Sequence, residues 1–151
     1  MTVTRRLRVQ GFEAERDLAR KLWQKGFAVI RAPASGAKAK HYVYPDLVAI
    51  RRGKILVFEV KRRTKMTTLY IDAKQIEKLR EFCRRAGGEA FIAIKIVNEK
   101  KWYFISLAEL EQIETGKYKI SVEKIRNALT LEELVKRYTV KALDEYTQSG
   151  K

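Results

Sequence analysis

Two apolar runs, Leu47 to Ile50 and Ile55 to Val60, flank Arg51-Arg52-Gly53-Lys54, and this segment constrains the fold more than any other. Apolar runs of strand length on either side of a glycine-containing turn read as a β-hairpin. A turn centred on Arg52 and Gly53 pairs residues whose numbers sum to 105, whether the loop has two residues or four. Ile50 then faces Ile55, Val48 faces Val57, and Asp46 faces Glu59. Side chains two residues apart share a face, so Lys61 joins Glu59. The other face, Leu47, Ala49, Leu56, Phe58 and Val60, is apolar throughout. A strand pair that is apolar on both faces is covered on both faces. One end of a buried hairpin therefore gathers two carboxylates and an ammonium.

The rest of the chain supplies the covering elements. Ala14, Leu18 and Leu22 recur at four-residue spacing and predict a helix over residues 12–25, stopped by a left-handed cap at Gly26. Residues 27–30 read as a short strand, and residues 33–45 as a loop bounded by the two prolines. Residues 62–69 are basic and polar and read as a loop or frayed edge. Asp72, with Gln75 as its capping-box partner, opens a second helix whose apolar stripe is Ile76, Leu79, Phe82, Cys83 and Ala86. Residues 90–97 and 102–105 make a second hairpin. Ser106 with Glu109, and Thr130 with Glu133, are capping boxes that open short helices. This order is a mixed α/β layout, a central sheet flanked by helices. Residues 1–110 are expected to form the working domain. Residues 111–151 are expected to be a C-terminal helical extension, packed on it or appended to it.

Composition narrows the function. The chain has 151 residues, one domain's worth, and 46% are hydrophobic, enough for a core. A formal charge of +15 points to a polyanionic partner. The charge is one-sided: residues 1–65 carry 17 Lys/Arg against 5 Asp/Glu, net +12, and residues 66–151 carry 16 against 13, net +3. A heat-adapted surface explains abundant charge but not this asymmetry. One cysteine and one histidine exclude an internal disulfide and a structural zinc site. No apolar run approaches a membrane span, and the N-terminus lacks a secretory stretch. The expected setting is intracellular, cytoplasmic and nucleoid-associated.

Opposed carboxylates are unfavourable without a compensating cation. Lys61 supplies one charge and a divalent ion would supply the rest. Hard oxygen donors suit Mg²⁺ or Mn²⁺, which keep several waters and bind phosphate directly. That chemistry fits phosphodiester hydrolysis, with Lys61 orienting water or neutralising developing charge. Glu15 shares the inward side of the first helix and is expected to join the metal site. Arg5, Arg6 and Arg8 read as a flexible arm on phosphate, and Arg62, Arg63 and Lys65 as phosphate contacts beyond the active strand. Lys38, Lys40 and His41 place further positive or polar groups in the long loop. Cys83 is expected in the core, and Trp102, Tyr103 and Phe104 in the sheet core or at a dimer surface.

Five stretches in order carry a resemblance: Gly11-Phe12-Glu13-Ala14-Glu15-Arg16, Gly26 to Arg31, Pro45 to Ala49, Glu59-Val60-Lys61 and Leu79 to Gly88. Across residues 8–105 the chain resembles the archaeal Holliday junction resolvases, a branch of the PD-(D/E)xK nuclease superfamily. The resemblance implies a restriction-endonuclease-like fold and a homodimer that places paired, Mg²⁺-dependent nicks in four-way junction DNA. It implies metal binding by Asp46 and Glu59 with the carbonyl of Val60. It matches Glu15 to the family's helix glutamate, and Arg16, Arg31 and Ser35 to positions of substrate contact or catalysis. The rivals are another nuclease of the superfamily, acting on flaps, ends or damaged DNA, a junction-binding protein without catalysis, and an RNA nuclease.

Overall fold

The protein is described by a computed structural model covering residues 2–32 and 42–139, the side chains of Leu7 and Arg8 excepted. Helix α1 spans Val3–Gln24 and starts well before the predicted residue 12. Thr2 is its N-cap, accepting a hydrogen bond from Arg5 N at 3.2 Å. Arg5 and Arg6, expected on a flexible arm, are therefore exposed on helical backbone. A single interior glycine, Gly11, costs only about 1 kcal/mol and does not break a helix of this length. Gly26 (φ +97°) ends the helix as expected.

Strands β1 (Ala28–Arg31), β2 (Leu47–Arg51) and β3 (Lys54–Arg63) form an antiparallel meander. The pairs Leu47↔Phe58, Val48↔Val57 and Ile50↔Ile55 are the register that the sequence predicts. Arg52 (φ 49°) and Gly53 (φ 81°) both take positive φ, the two-residue turn that matches strand twist. Strand β3 runs on to Arg63, where a loop is expected. Its partner there is Ile96 of the parallel strand β5 (Glu89–Ile96), whose length holds the basic segment in the ladder. Between them lie β4 (Leu69–Ile71) and α2 (Ala73–Ala86). Strand β6 (Lys101–Ser106) pairs antiparallel with β5, giving a mixed sheet of order β1-β2-β3-β5-β6.

Residues 111–120 depart from the expected helical extension. They contain β7 (Glu111–Gln112) and β8 (Tyr118–Ile120), which build a second sheet of order β4-β8-β7. The buried Leu69 and Ile71 of β4 pair with Ile120 and Tyr118, also buried, so this sheet covers its own apolar residues. Helices α3 (Val122–Arg126) and α4 (residues 131–139) follow. At the Thr130–Glu133 capping box, Glu133 N donates to Thr130 Oγ1 at 3.2 Å, and the Thr130 hydroxyl donates to Glu133 Oε1 at 3.0 Å. Ser106 caps only a single 3-10 turn, Leu107–Glu109.

The central sheet is covered on both sides. On one face, Leu47, Ala49, Leu56, Phe58 and Phe91 pack with Leu18 and Leu22 of α1 and Leu134 of α4. On the other, Val57, Ile92 and Ile94 pack with Ile76 and Leu79 of α2 and with the second sheet. Each such fully buried side chain contributes about 1.5–3 kcal/mol. Tyr103 and Phe104 lie in these cores, Trp102 beside Phe104. Cys83 is half-buried against the α2 side.

The tightest point is the entry to β5. Gly88 has φ +117°, and a Cβ there would sit 2.4 Å from Ile55 O and 2.8 Å from Ile55 Cβ. Gly87 (φ +71°) has open space around it. Gly88→Ala is therefore expected to cost roughly 2–4 kcal/mol of unfolding free energy, and Gly87→Ala about 1 kcal/mol. Urea unfolding of the two variants checks the ranking; equal losses would mean that the Ile55 contact does not govern the site.

Candidate active site

The site lies where β3 outruns β2. Asp46 is the residue before β2, and its backbone N–H donates to Phe58 O at 3.0 Å, continuing the ladder one step. Its carboxylate accepts from Val60 N at 2.8 Å. That bond replaces the cross-strand partner that Val60 loses where β2 begins. It also locks the Asp46 side chain against β3, where the Asp46 and Glu59 carboxyls lie close enough to shift one another. The pair expected from the hairpin register is thus assembled.

The electrostatics show how uncomfortable this pair is. Glu59 is pushed up to about 7, first by burial and then by the negative charge of Asp46. Asp46 is also raised, chiefly by burial, against the opposing hydrogen bond from Val60 N. Lys61 and Lys78 pull both carboxyls back down without cancelling the shift. Burial outweighs the two lysines at both carboxyls.

Glu15 approaches the pair from another element. It belongs to α1, on the sheet face opposite α2, and its carboxylate lies 3.5 Å from Arg31 Nη2. Its carboxyl is raised, first by burial and next by Asp46 nearby. No group of three or more ligating side chains forms among the described residues. The helix that carries Glu15 covers the sheet face away from α2, and Glu15 reaches Asp46 through its charge. Arg31 Nε is buried and has no hydrogen-bond partner among the described residues.

Lys61 shares the face of Glu59, but its Nζ donates to Gln75 Oε1 at 2.9 Å. Gln75 was expected to cap α2. Asp72 does occupy the N-cap, yet its side chain makes no cap bond and instead lies 3.6 Å from Lys117 Nζ. Lys78, one turn further along α2, reaches the two carboxyls electrostatically. Neither Gln75 nor Lys78 was marked for the site. Both flank the inward stripe Ile76, Leu79 and Phe82, a position from which a helix can look over the sheet edge.

The basic residues take several positions. Arg62 Nη1 approaches Gln10 Oε1 at 3.4 Å and ties the end of β3 to α1, while Arg63, Lys65 and Arg16 are exposed. Ser35, Lys38, Lys40 and His41 lie outside the described residues, as does the Arg8 side chain.

Against known proteins, residues 6–143 match the family model described as archaeal Holliday junction resolvase (Hjc). The chain belongs to this family. The crossover junction endodeoxyribonuclease Hjc of Sulfurisphaera tokodaii is 43% identical over 127 residues, 84% of this chain and 86% of that one. The enzyme of the same name from Sulfolobus acidocaldarius is 40% identical over 129 residues, 85% and 88% of the two chains. In three dimensions this resolvase-family chain is similar to Archaeoglobus fulgidus Hjc, a Holliday junction resolvase, with a TM-score of 0.72 and 33% identity over 83% of this chain and 95% of that one. The fold is the restriction-endonuclease-like α/β fold of that family, with its mixed five-stranded sheet between helices.

The raised Glu59 carboxyl has a consequence for stability. A carboxyl that titrates near 4.5 when unfolded and near 7 when folded binds more protons in the native state between those values. Its contribution is fully present below pH 4.5 and is lost as pH rises through about 7. Metal-free protein is expected to lose melting temperature across that window, and Glu59→Gln to flatten the loss. Melts at pH 5, 6, 7 and 8 read it directly; an unchanged slope in the variant would remove Glu59 as the source.

Proposed function

We propose that this resolvase-family chain is an Mg²⁺-dependent endonuclease that cuts four-way DNA junctions as a homodimer, with Asp46, Glu59 and Lys61 at the reacting phosphate. The observation that carries the reading is the buried Asp46–Glu59 pair, whose carboxyls burial keeps raised despite the two lysines nearby. Two hard oxygen donors in an electron-rich, half-closed site fit Mg²⁺, with Mn²⁺ as a substitute. Asp46 and Glu59 would hold the ion, with the Val60 carbonyl as the family resemblance implies. When bound, the ion polarises the phosphate and lowers the pKa of its water.

The chain's own residues do the rest. Val60 N–H fixes the Asp46 carboxylate, so one donor direction is set before substrate arrives. Lys61 offers its ammonium protons to the phosphate oxygens as negative charge builds there. Glu15 holds Arg31 at the rim, where the guanidinium meets the backbone. Arg5, Arg6, Arg16, Arg62, Arg63 and Lys65 supply phosphate contacts, which position the DNA without reading sequence. No described helix is long and apolar enough to cross a membrane.

A second copy fits the outer face of β1 and β2. Ile30, Val48, Ile50, Ile55, Phe82 and Tyr44 line an apolar groove of about 300 Å³. Ile30 is 62% exposed, and Tyr42 beside the groove 70% exposed. A continuous apolar face next to a cleavage site favours a partner over water. A two-fold dimer through it presents two equivalent sites to a junction with two equivalent strands to cut. Sedimentation equilibrium should show a dimer for the wild type and a monomer for Ile30→Glu. A dimeric variant would move the interface elsewhere.

Asp46→Asn and Glu59→Gln are each expected to lower Mg²⁺-dependent junction cleavage at least a hundredfold, on the order of what loss of a metal ligand or electrostatic stabiliser costs. Junction affinity in gel shift should be retained. The measurement is cleavage of four-way, flap, nicked and linear DNA with and without Mg²⁺. Cleavage that survives in both variants excludes this site, and equal cutting of linear duplex excludes junction selectivity.

A further inference from the structure

The Lys61–Gln75 contact is not required by the fold. Lys61 lies on the β3 face that carries Glu59, with Asp46 across the hairpin, and a lysine free to choose would close on one of those carboxylates. Its hydrogen-bond partner is instead the neutral amide of Gln75, 2.9 Å away, in the first turn of α2. Both side chains are partly buried. The amide of Gln75 accepts one ammonium proton and leaves two donors for other groups. It also holds the amine away from the carboxylates, which keeps their oxygens available as a pair.

We infer that Gln75 is a positioning residue that sets where the Lys61 ammonium stands at the reacting phosphate. The inference rests on the nuclease reading of this site. A lysine side chain has four rotatable bonds, and without a fixed acceptor its charge spreads over many placements. One hydrogen bond from a packed helix selects a placement before substrate binds. Glutamine suits the task better than a carboxylate would. A third carboxylate beside Asp46 and Glu59 would add to the repulsion that already raises Glu59, whereas an amide adds none. Lys78, exposed on the same helix, adds positive potential to both carboxyls from further out.

The test is a double-mutant cycle on the full chain, with single-turnover cleavage of a four-way junction in Mg²⁺ and junction affinity by gel shift. Gln75→Ala is expected to lower the cleavage rate ten- to a hundredfold, on the order of what loss of positioning costs. Affinity should stay within about twofold. In a Lys61→Ala background the same substitution should change the rate no further. Independent, multiplying losses would overturn the inference.

A second readout needs no activity. In nitrogen-15 spectra of the metal-free protein, the Lys61 ammonium signal, assigned by its disappearance in Lys61→Arg, should be visible in the wild type and lost to exchange in Gln75→Ala. A signal that is identical in both overturns the inference even if cleavage falls. A wild type that leaves junctions uncut sinks the nuclease reading, while the spectra still decide whether Gln75 holds Lys61.

Discussion

Everything at this site follows from one antiparallel register. Leu47 pairs with Phe58, and the ladder continues one residue further, so Asp46 arrives beside Glu59 and hydrogen-bonds Val60. A slip of one residue would send the whole hydrophobic set of β2 to the wrong face. The register is therefore held by the core, by Leu47, Ala49, Leu56 and Phe58 packing under α1, and the carboxylates ride on it. The energy that brings two negative groups together is hydrophobic, and it comes from residues that take no part in the chemistry.

That division explains which parts of the molecule are legible in sequence. The hairpin was readable because apolar alternation, turn composition and strand pairing all agree between residues 46 and 61. The inward stripe of α2 was readable for the same reason. Helix α1 was read too short, because Arg5 to Gln10 have no apolar periodicity to announce them. Their helicity depends on the Thr2 cap and on continuity with a well-packed helix. Strands β7 and β8 were missed because they are two and three residues long and answer β4, which is distant in sequence. Short non-local pairings leave almost no local pattern.

The candidate site divides along the same line. Asp46, Glu59 and Lys61 belong to one hairpin, so their proximity is a local fact. Glu15 was placed on the correct side of its helix, but nothing in one chain's periodicity says which sheet face that helix covers. It covers the face away from α2, and from there Glu15 pairs with Arg31 while its carboxyl feels the charge of Asp46. Gln75 was absorbed by a capping pattern that is satisfied in sequence and not in space. The motif Asp72-x-x-Gln75 describes two side chains that each found another partner, Lys117 and Lys61.

The sheet also separates two kinds of demand. Binding a polyanion calls for exposed positive charge spread over a broad surface, and Arg5, Arg6, Arg16, Arg63 and Lys65 are exposed. Cutting it needs negative charge concentrated where water is scarce, and only a covered strand end offers that. The two would cancel if they mixed, because an arginine free to reach Asp46 or Glu59 would neutralise the pair and compete with a divalent ion. The structure keeps them apart by geometry: Arg62 is drawn toward Gln10, Arg31 toward Glu15, and Lys61 toward Gln75. Lys78 reaches the carboxyls from the exposed side of α2 through its charge alone, so among the described residues no cation closes on the pair.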